Sequence, residues 1–450
     1  MFTQNFKKAL SLLLVLVLMT FMLAGCAEAK ETPTASAENN TNASNEPATA
    51  SDEVITLKIY AQYADEDTKV PYDYAIEELA KVYPNVKLEL DIQAQDDGQK
   101  LQSYAATGNL PDIFQIGAAQ IETFKESGNI LVLDDYVKST GFGDKVFQSA
   151  QNLLWNKDGH AYAFPYAGNE LVLIYYNKAL FKQYNVKVPE TYEELETAIH
   201  TFNENDIVPL AAFAKEKWIT TSLFDVFATR LEPQGIKKLD SGEGKATEEA
   251  FVKAAERLHH LVEIGLLADG ATNMNYDQAA ALFYEGKAAM FINGQWEIAA
   301  STEKLGDTVD WMFYPTFSEN QDAKMAFAGG GSAGGYAVSP YSEHQDLAAE
   351  VAAFLSEKYC EAKHLYRANP LLAVKIDPSL EPVNPYPPMM ERLSEVLPDI
   401  TSTTAFAWGL SNPQFKVLIE DQSQFLLTPD YSAEEFITEM NKSLERIHGQ

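Results

Sequence analysis

Several side-chain groupings in this sequence could do chemistry, and each implies a different reaction. The chain carries 65 Asp and Glu residues, so acids that are neighbours in sequence carry little information. Cleavage of a glycosidic bond needs two carboxyls held about 5–10 Å apart in space, and no short signature marks such a pair. Glu256-x-x-His259 and His260-x-x-Glu263 have the spacing of metal ligands. On a helix the two pairs face different sides, the pattern of a solvated helix, so no metal is assigned. No Gly-x-Ser-x-Gly elbow occurs, which leaves an α/β-hydrolase without support. The run Gly329-Gly330-Gly331-Ser332 lacks the following Gly-Lys-Ser/Thr of a phosphate-cradling loop. Gly330, Gly331 and Ser332 instead suit a place where backbone comes close to a bound molecule. Cys360 follows Tyr359 on an amphipathic stretch and reads as a small buried hydrophobe. What remains is binding chemistry, for which amide and hydroxyl groups at Tyr60, Gln62, Gln115 and Gln120 are candidates. Trp155 and Trp311 read as structural and core residues.

The elements that must position these groups alternate between strand and helix. Residues 54–60 alternate as a strand, 72–83 carry Ile76, Leu79, Ala80 and Tyr83 at helical spacing, and Val86, Leu88, Leu90 and Ile92 alternate again. Strand, helix, strand predicts a parallel pair with a right-handed crossover. A helix near 97–107 then leads to a buried strand at Asp112–Gly117. Tyr60 and Gln62 follow the first strand, and Gln115, Gly117 and Gln120 follow this one, at the carboxyl ends where open α/β sheets bind ligands. Asp112 itself reads as a turn or capping group. Further on, 171–176 is an apolar strand, and Thr191 with Glu194 forms a capping box for a helix bearing Leu195, Ala198, Ile199 and Phe202. Helices are predicted near 247–265, 276–285, 346–359, 388–397, 413–426 and 432–447, with strands at 288–292 and 309–314. No fixed-period repeat is visible, and the class is α/β.

Composition narrows the function classes. At 450 residues and 46% hydrophobic, two large lobes are the natural organisation. The net charge of −31 repels nucleic-acid phosphates and anionic headgroups, which argues against nucleic-acid partners. With only Cys26 and Cys360, a disulfide framework is excluded. Lys7 and Lys8 precede an apolar run from Ala9 to Leu23, the shape of an export signal and too short for a comfortable span. The signal ends in Leu23-Ala24-Gly25-Cys26, similar to a bacterial lipobox. That resemblance implies a signal peptide over 1–25 and lipid on Cys26, hence an anchor outside the cytoplasmic membrane. Residues 26–51, rich in Ala, Glu, Thr, Asn and Ser, are expected to form a disordered tether spanning roughly 25–30 Å.

Five further stretches carry a second resemblance. They are Gly108-Asn109-Leu110-Pro111-Asp112-Ile113; Gly159-His160-Ala161-Tyr162-Ala163-Phe164-Pro165, running on through Tyr176-Asn177-Lys178 to Pro189-Glu190-Thr191-Tyr192-Glu193-Glu194-Leu195; Phe283-Tyr284-Glu285-Gly286-Lys287-Ala288-Ala289-Met290 with Gly294-Gln295-Trp296; Gly329 to Val338; and Leu347 to Leu355. In this order they resemble the extracellular solute-binding proteins of ABC importers, the sugar-binding group that includes the maltose-binding protein. Tyr192 stands where that family commonly has Trp. The resemblance covers nearly all of 54–450 and implies a two-lobed periplasmic-binding-protein fold, type II-like, with mixed sheets flanked by helices. Crossings between lobes are implied near Asn169–Leu171, Tyr314–Thr316 and Val338–Ser339. Lobe one would then be 52–168 plus 316–338, and lobe two 169–315 plus 339–450.

The implied function is a non-catalytic, cofactor-free, monomeric receptor that captures a carbohydrate, an oligosaccharide, between its lobes and hands it to the permease subunits. Trp296 matches a ligand-stacking position, Trp408 and Trp218 lie in regions where the family places aromatic contacts, and Glu170 matches a polar ligand position at the hinge. Sugars present apolar CH faces and hydroxyl edges, which indole plates and a few directional polar groups recognise. A secreted glycoside hydrolase, and a receptor for a polyamine or peptide, stay open as alternatives.

Overall fold

The computed structural model describes residues 54–449 apart from Asp97 and Ser332, so the expected signal peptide, Cys26, the tether and Ser332 lie outside the described residues. In chain order the elements that matter are β1 (Ile55–Ala61), α1 (Glu66–Val82), β2 (Val86–Ile92), β3 (Ile113–Ile116), α2 (Ala118–Ser127), β4 (Val172–Asn177), α3 (Tyr192–Asn203), β5 (Val208–Ala211), α4 (Lys217–Ala228), α5 (Glu249–Glu263), α6 (Tyr276–Tyr284), β6 (Ala288–Gly294), α7 (Glu297–Leu305), β7 (Val309–Met312), β8 (Ala326–Phe327), β9 (Gly335–Val338), α8 (Gln345–Arg367), α9 (Pro388–Val396), β10 (Ser402–Thr403), α10 (Pro413–Leu426) and α11 (Ala433–His448). Among the described residues no helix is long and apolar enough to cross a membrane.

Two four-stranded sheets organise the chain. The first has the order β2-β1-β3-β9, with β1 parallel to β2 and β3, and β9 antiparallel to β3. Its register, Ile55 opposite Val86 through Ala61 opposite Ile92, is the parallel pairing that the strand–helix–strand pattern predicts. Leu57, Ile59, Ile113 and Val338 pack on one face with α1 and α8, and Tyr60, Phe114 and Phe124 on the other. The second sheet has the order β5-β6-β4-β7, and β4 runs antiparallel to both neighbours. It is fully covered: every residue of β6 is buried.

Helix starts follow capping chemistry. Asp65 accepts from Thr68 N at 3.0 Å while Thr68 Oγ1 returns a bond to the Asp65 backbone N–H. This box starts α1 at Glu66 rather than at 72, ahead of the point where apolar periodicity becomes visible. The same device starts α3 at Thr191 and α11 at Ser432.

Two of the implied crossings are displaced. Leu171 and Val172 enter the second core as expected, but Phe317, Phe327 and Ala328 remain in it. The chain returns to the first core at the glycine run before β9, not near Tyr314–Thr316. It then stays there: α8 lies against α1, and Val351, Leu355, Tyr359, Cys360, Ala373 and Val374 all belong to the first core. The segment after Val338 therefore does not join the second body until Tyr386 and Met389. The periodicity was too weak to place the end of α8 at Arg367 rather than 359, because Ala362 and Leu365 extend the buried face by single small or aliphatic residues.

Where the first two crossings meet, the strands are sewn together. Val172 N donates to Ala328 O at 3.0 Å, Gly330 N to Glu170 O at 2.6 Å and Gly331 N to Asn169 Oδ1 at 3.0 Å. Gly330 has φ +129°, and a Cβ there would meet Thr404 O at 2.4 Å, so glycine is required.

Candidate ligand-binding cleft

A cavity of about 300 Å³ opens at the carboxyl ends of β1 and β3 and is closed on the other side by residues of the second body. That volume is at the low end for small-molecule sites, roughly 300–1,000 Å³. Gln62, Gln115, Gln120, Glu170, Trp218, Trp296, Trp408, Gly330 and Gly331, all singled out from sequence, line it, as does Gly117. Tyr60 does not. Its side chain is fully buried in the sheet, where its hydroxyl accepts from Ala94 N at 3.1 Å. Both faces of β1 are covered, so residue 60 within the strand is enclosed; Gln62, beyond the strand end, reaches the opening.

The three indoles converge although they are far apart in sequence. Trp218 lies in the first turn of α4, Trp296 one residue past the β6 turn, and Trp408 in a short turn before α10. Ring centroids are 5.3 Å apart for Trp218–Trp408, 5.9 Å for Trp218–Trp296 and 6.2 Å for Trp296–Trp408. Phe406 completes the wall, stacked on Trp408 at 4.5 Å with an interplanar angle of 4°. Two backbone features make room for it. A Cβ on Gly294 would fall 2.3 Å from the Trp296 ring, and a Cβ on Gly117 would fall 2.7 Å from Trp408 O. The second contact, with the 3.0 Å bond from Lys157 Nζ to Ser411 Oγ, brings the two bodies together at the rim. Trp218 is half-buried against Phe213 at 5.2 Å, with the neighbouring Glu216 carboxylate beside it in the cavity lining.

The facing wall is polar. Gln115 is 2% exposed; its Oε1 accepts from Gln62 N at 2.7 Å, and its amide lies beside the Tyr336 hydroxyl across β3 and β9. Gln120 Nε2 donates to Gly98 O at 3.4 Å.

At the hinge end lies a buried ionic group that the sequence reading did not identify. Asp67 of α1 pairs with Lys363 of α8, and with Arg367 Nε at 3.2 Å. Glu170 lies near this pair; burial raises its carboxyl pKa to about 7, against the opposing pull of Lys363. Glu216 accepts from Tyr276 N at 3.1 Å, and burial raises its pKa as well. Lys416 and Glu420 form a 2.6 Å ion pair on α10. No spacing in the sequence joins residues 67 and 363, so only the three-dimensional packing of α8 on α1 reveals them. The capping box at Asp65 was the one local signal, and it marks a helix start rather than a site.

The remaining motifs settle elsewhere. His259 is buried with its ring nitrogen 3.3 Å from Leu426 O, and His260 lies 3.0 Å from Glu196. Among the described residues no group of three or more His, Cys, Asp or Glu is arranged to hold a metal. Cys360 is buried, its thiol 3.2 Å from Tyr166 O, and burial pushes it up to about 12. Trp311 is fully buried, and Trp155 donates from its indole N–H to Gln151 Oε1 at 3.0 Å.

Comparison with known proteins agrees with this geometry. An uncharacterized ABC transporter extracellular-binding protein of Pyrococcus horikoshii is 29% identical over 301 residues, covering 64% of each chain. A probable sugar-binding periplasmic protein of Rhizobium meliloti is 27% identical over 44% of this chain and 47% of its own. The alignments thus span about half to two thirds of these relatives. A structure solved in work on xylan utilization by the thermophilic bacterium Caldanaerobius polysaccharolyticus superposes with a TM-score of 0.76 at 27% identity, over 86% of this chain and all of the other. The architecture is the two-lobed mixed α/β fold of solute-binding proteins. The family described as bacterial extracellular solute-binding protein matches residues 65–358, and the chain belongs to that family.

Proposed function

We propose that this protein is an extracytoplasmic receptor of an ABC importer, tethered by lipid on Cys26, that captures an oligosaccharide in the cleft and delivers it unchanged to the permease as a monomer. The observation that carries the reading is the convergence of Trp218, Trp296 and Trp408 on one cavity facing the Gln62, Gln115 and Gln120 wall. Indole faces bury sugar CH surfaces, while amides and carboxylates bond the hydroxyl edges. The sugar-binding description of the Rhizobium relative and the xylan setting of the Caldanaerobius structure support a carbohydrate over another solute.

Residues 54–168 and the β9–α8 segment would form one lobe and the rest the other, joined at the glycine seam. A ligand that touches both walls binds the closed arrangement better and shifts the population toward it. A thermal-shift screen over mono- and oligosaccharides tests this, because ligand bound to the native state raises Tm. The expected result is a Tm rise with the sugar recovered intact. Cleavage of the sugar, or no shift with any saccharide, overturns the proposal. Anchoring is tested separately: Cys26→Ala should move the protein from the membrane to the soluble fraction.

A further inference from the structure

We infer that the cleft selects its ligand by charge, admitting neutral and amine-bearing saccharides and turning away those that carry a carboxylate or phosphate. The inference rests on the carbohydrate reading and concerns the same cavity. Its lining contains Asp65, Asp67, Asp96, Glu170, Glu216 and Glu420, but only Lys363 and Lys416 as cations. Both cations are engaged by acids of the lining: Lys363 by Asp67, with the two side chains 7% and 13% exposed, and Lys416 by Glu420, at 14% and 4%. A ligand anion would have to break one of these pairs to find a partner, leaving an acid buried without its cation.

Three other acids have polar partners but no cation. Asp65 accepts from Thr68 N at 3.0 Å, Asp96 from Lys100 N at 2.9 Å and Glu216 from Tyr276 N at 3.1 Å. None of the three forms an ion pair among the described residues. Bonds of this kind hold a carboxylate in place while leaving lone pairs for a ligand donor. An ammonium group could bond to them, or lie over an indole face, where cations are attracted to the ring. The amides of Gln62 and Gln120 in the lining still offer a neutral ligand oxygen their donors. The overall charge of −31 acts in the same sense on approach, slowing anions.

Calorimetry on the full chain at pH 7.5 tests this. Cellobiose, chitobiose and xylobiose serve as neutral probes, xylobiose bearing a glucuronate as the anion, and fully deacetylated chitobiose and spermidine as the cations. The glucuronate sugar should bind at least about tenfold more weakly than xylobiose, and deacetylated chitobiose should bind no more weakly than chitobiose. Asp96→Asn combined with Glu216→Gln separates charge from size and should narrow the xylobiose-to-glucuronate ratio. Equal affinities, preference for the anion, or a ratio unmoved in the double variant overturns charge selection. Binding of spermidine with no neutral saccharide bound would refute the carbohydrate reading while charge selection stands. Silence from every probe refutes both.

Discussion

The two walls of the cleft are built on opposite plans. The indole wall is assembled from three chain segments, at α4, the β6 turn and the turn before α10, and its groups are large, rigid and mutually packed. The facing wall comes from the carboxyl ends of β1 and β3 and the buried Asp67–Lys363 pair, and its groups are small, directional and individually bonded. The first plan gives affinity through apolar area and tolerates many ring orientations. The second gives orientation and charge preference, and it is sensitive to any single partner lost.

This contrast can be broken or sharpened by substitution. The largest effect is expected at the ionic end. Lys363→Met removes one partner of a buried pair and should cost about 3 kcal/mol of stability by denaturant unfolding. Replacing Asp67 by Leu and Arg367 by Met in the same chain removes the other two charges of the cluster and should return much of that loss; if it does not, the ionic cluster is not the cause. Next, Trp296→Ala should weaken binding of the sugar identified in the screen by roughly 1–3 kcal/mol in calorimetry. Unchanged affinity would move the stacking role to Trp218 and Trp408. Gly117→Val comes third: its side chain would meet the Trp408 backbone and hold the rim apart, weakening affinity by about 1 kcal/mol. The Tm of the empty protein should hardly move, and a large drop would mark Gly117 as structural instead. Ser432→Ala, remote from both walls, should cost about 1 kcal/mol of stability by loss of its cap and leave affinity unchanged.

A separate readout, of the pair of buried carboxyls rather than of a single side chain, is the pH dependence of stability. Burial holds the Glu170 and Asp225 carboxyls at about 7 in the folded chain, above the roughly 4 of an exposed carboxyl. The folded state therefore binds more protons than the unfolded one between about pH 4 and 7, and stability falls as pH rises through that window. A Tm that declines by a few degrees from pH 5 to 8, and flattens in Asp225→Asn, is the expected outcome. A Tm rising with pH over the same range would contradict it.

Much of the indole wall was legible in the sequence, because turns such as Gly294-x-Trp296 leave a local mark. So were the strand ends, since alternation predicts where β1 and β3 stop. Tyr60 stays out of the cleft because both faces of the first sheet are covered and residue 60 still lies within β1, whereas Gln62 lies past its end. Asp67 and Lys363 were invisible because their meeting depends on α8 packing against α1 across almost the whole chain. The same holds for the segment after Val338: α8 packs on α1 in the first core, a long-range contact that no local pattern marks.

The interleaving of the two bodies has a consequence for biogenesis. The first sheet lacks its antiparallel edge strand until residue 338 has been made, and its largest helix until Arg367. The second body waits for α11, which ends at His448. No N-terminal stretch of the growing polypeptide can thus complete a core ahead of the rest, and no contiguous fragment would be expected to survive excision on its own. Consolidation must come late, after nearly the whole chain has been synthesised, with the open edge of β3 exposed to mispairing until then.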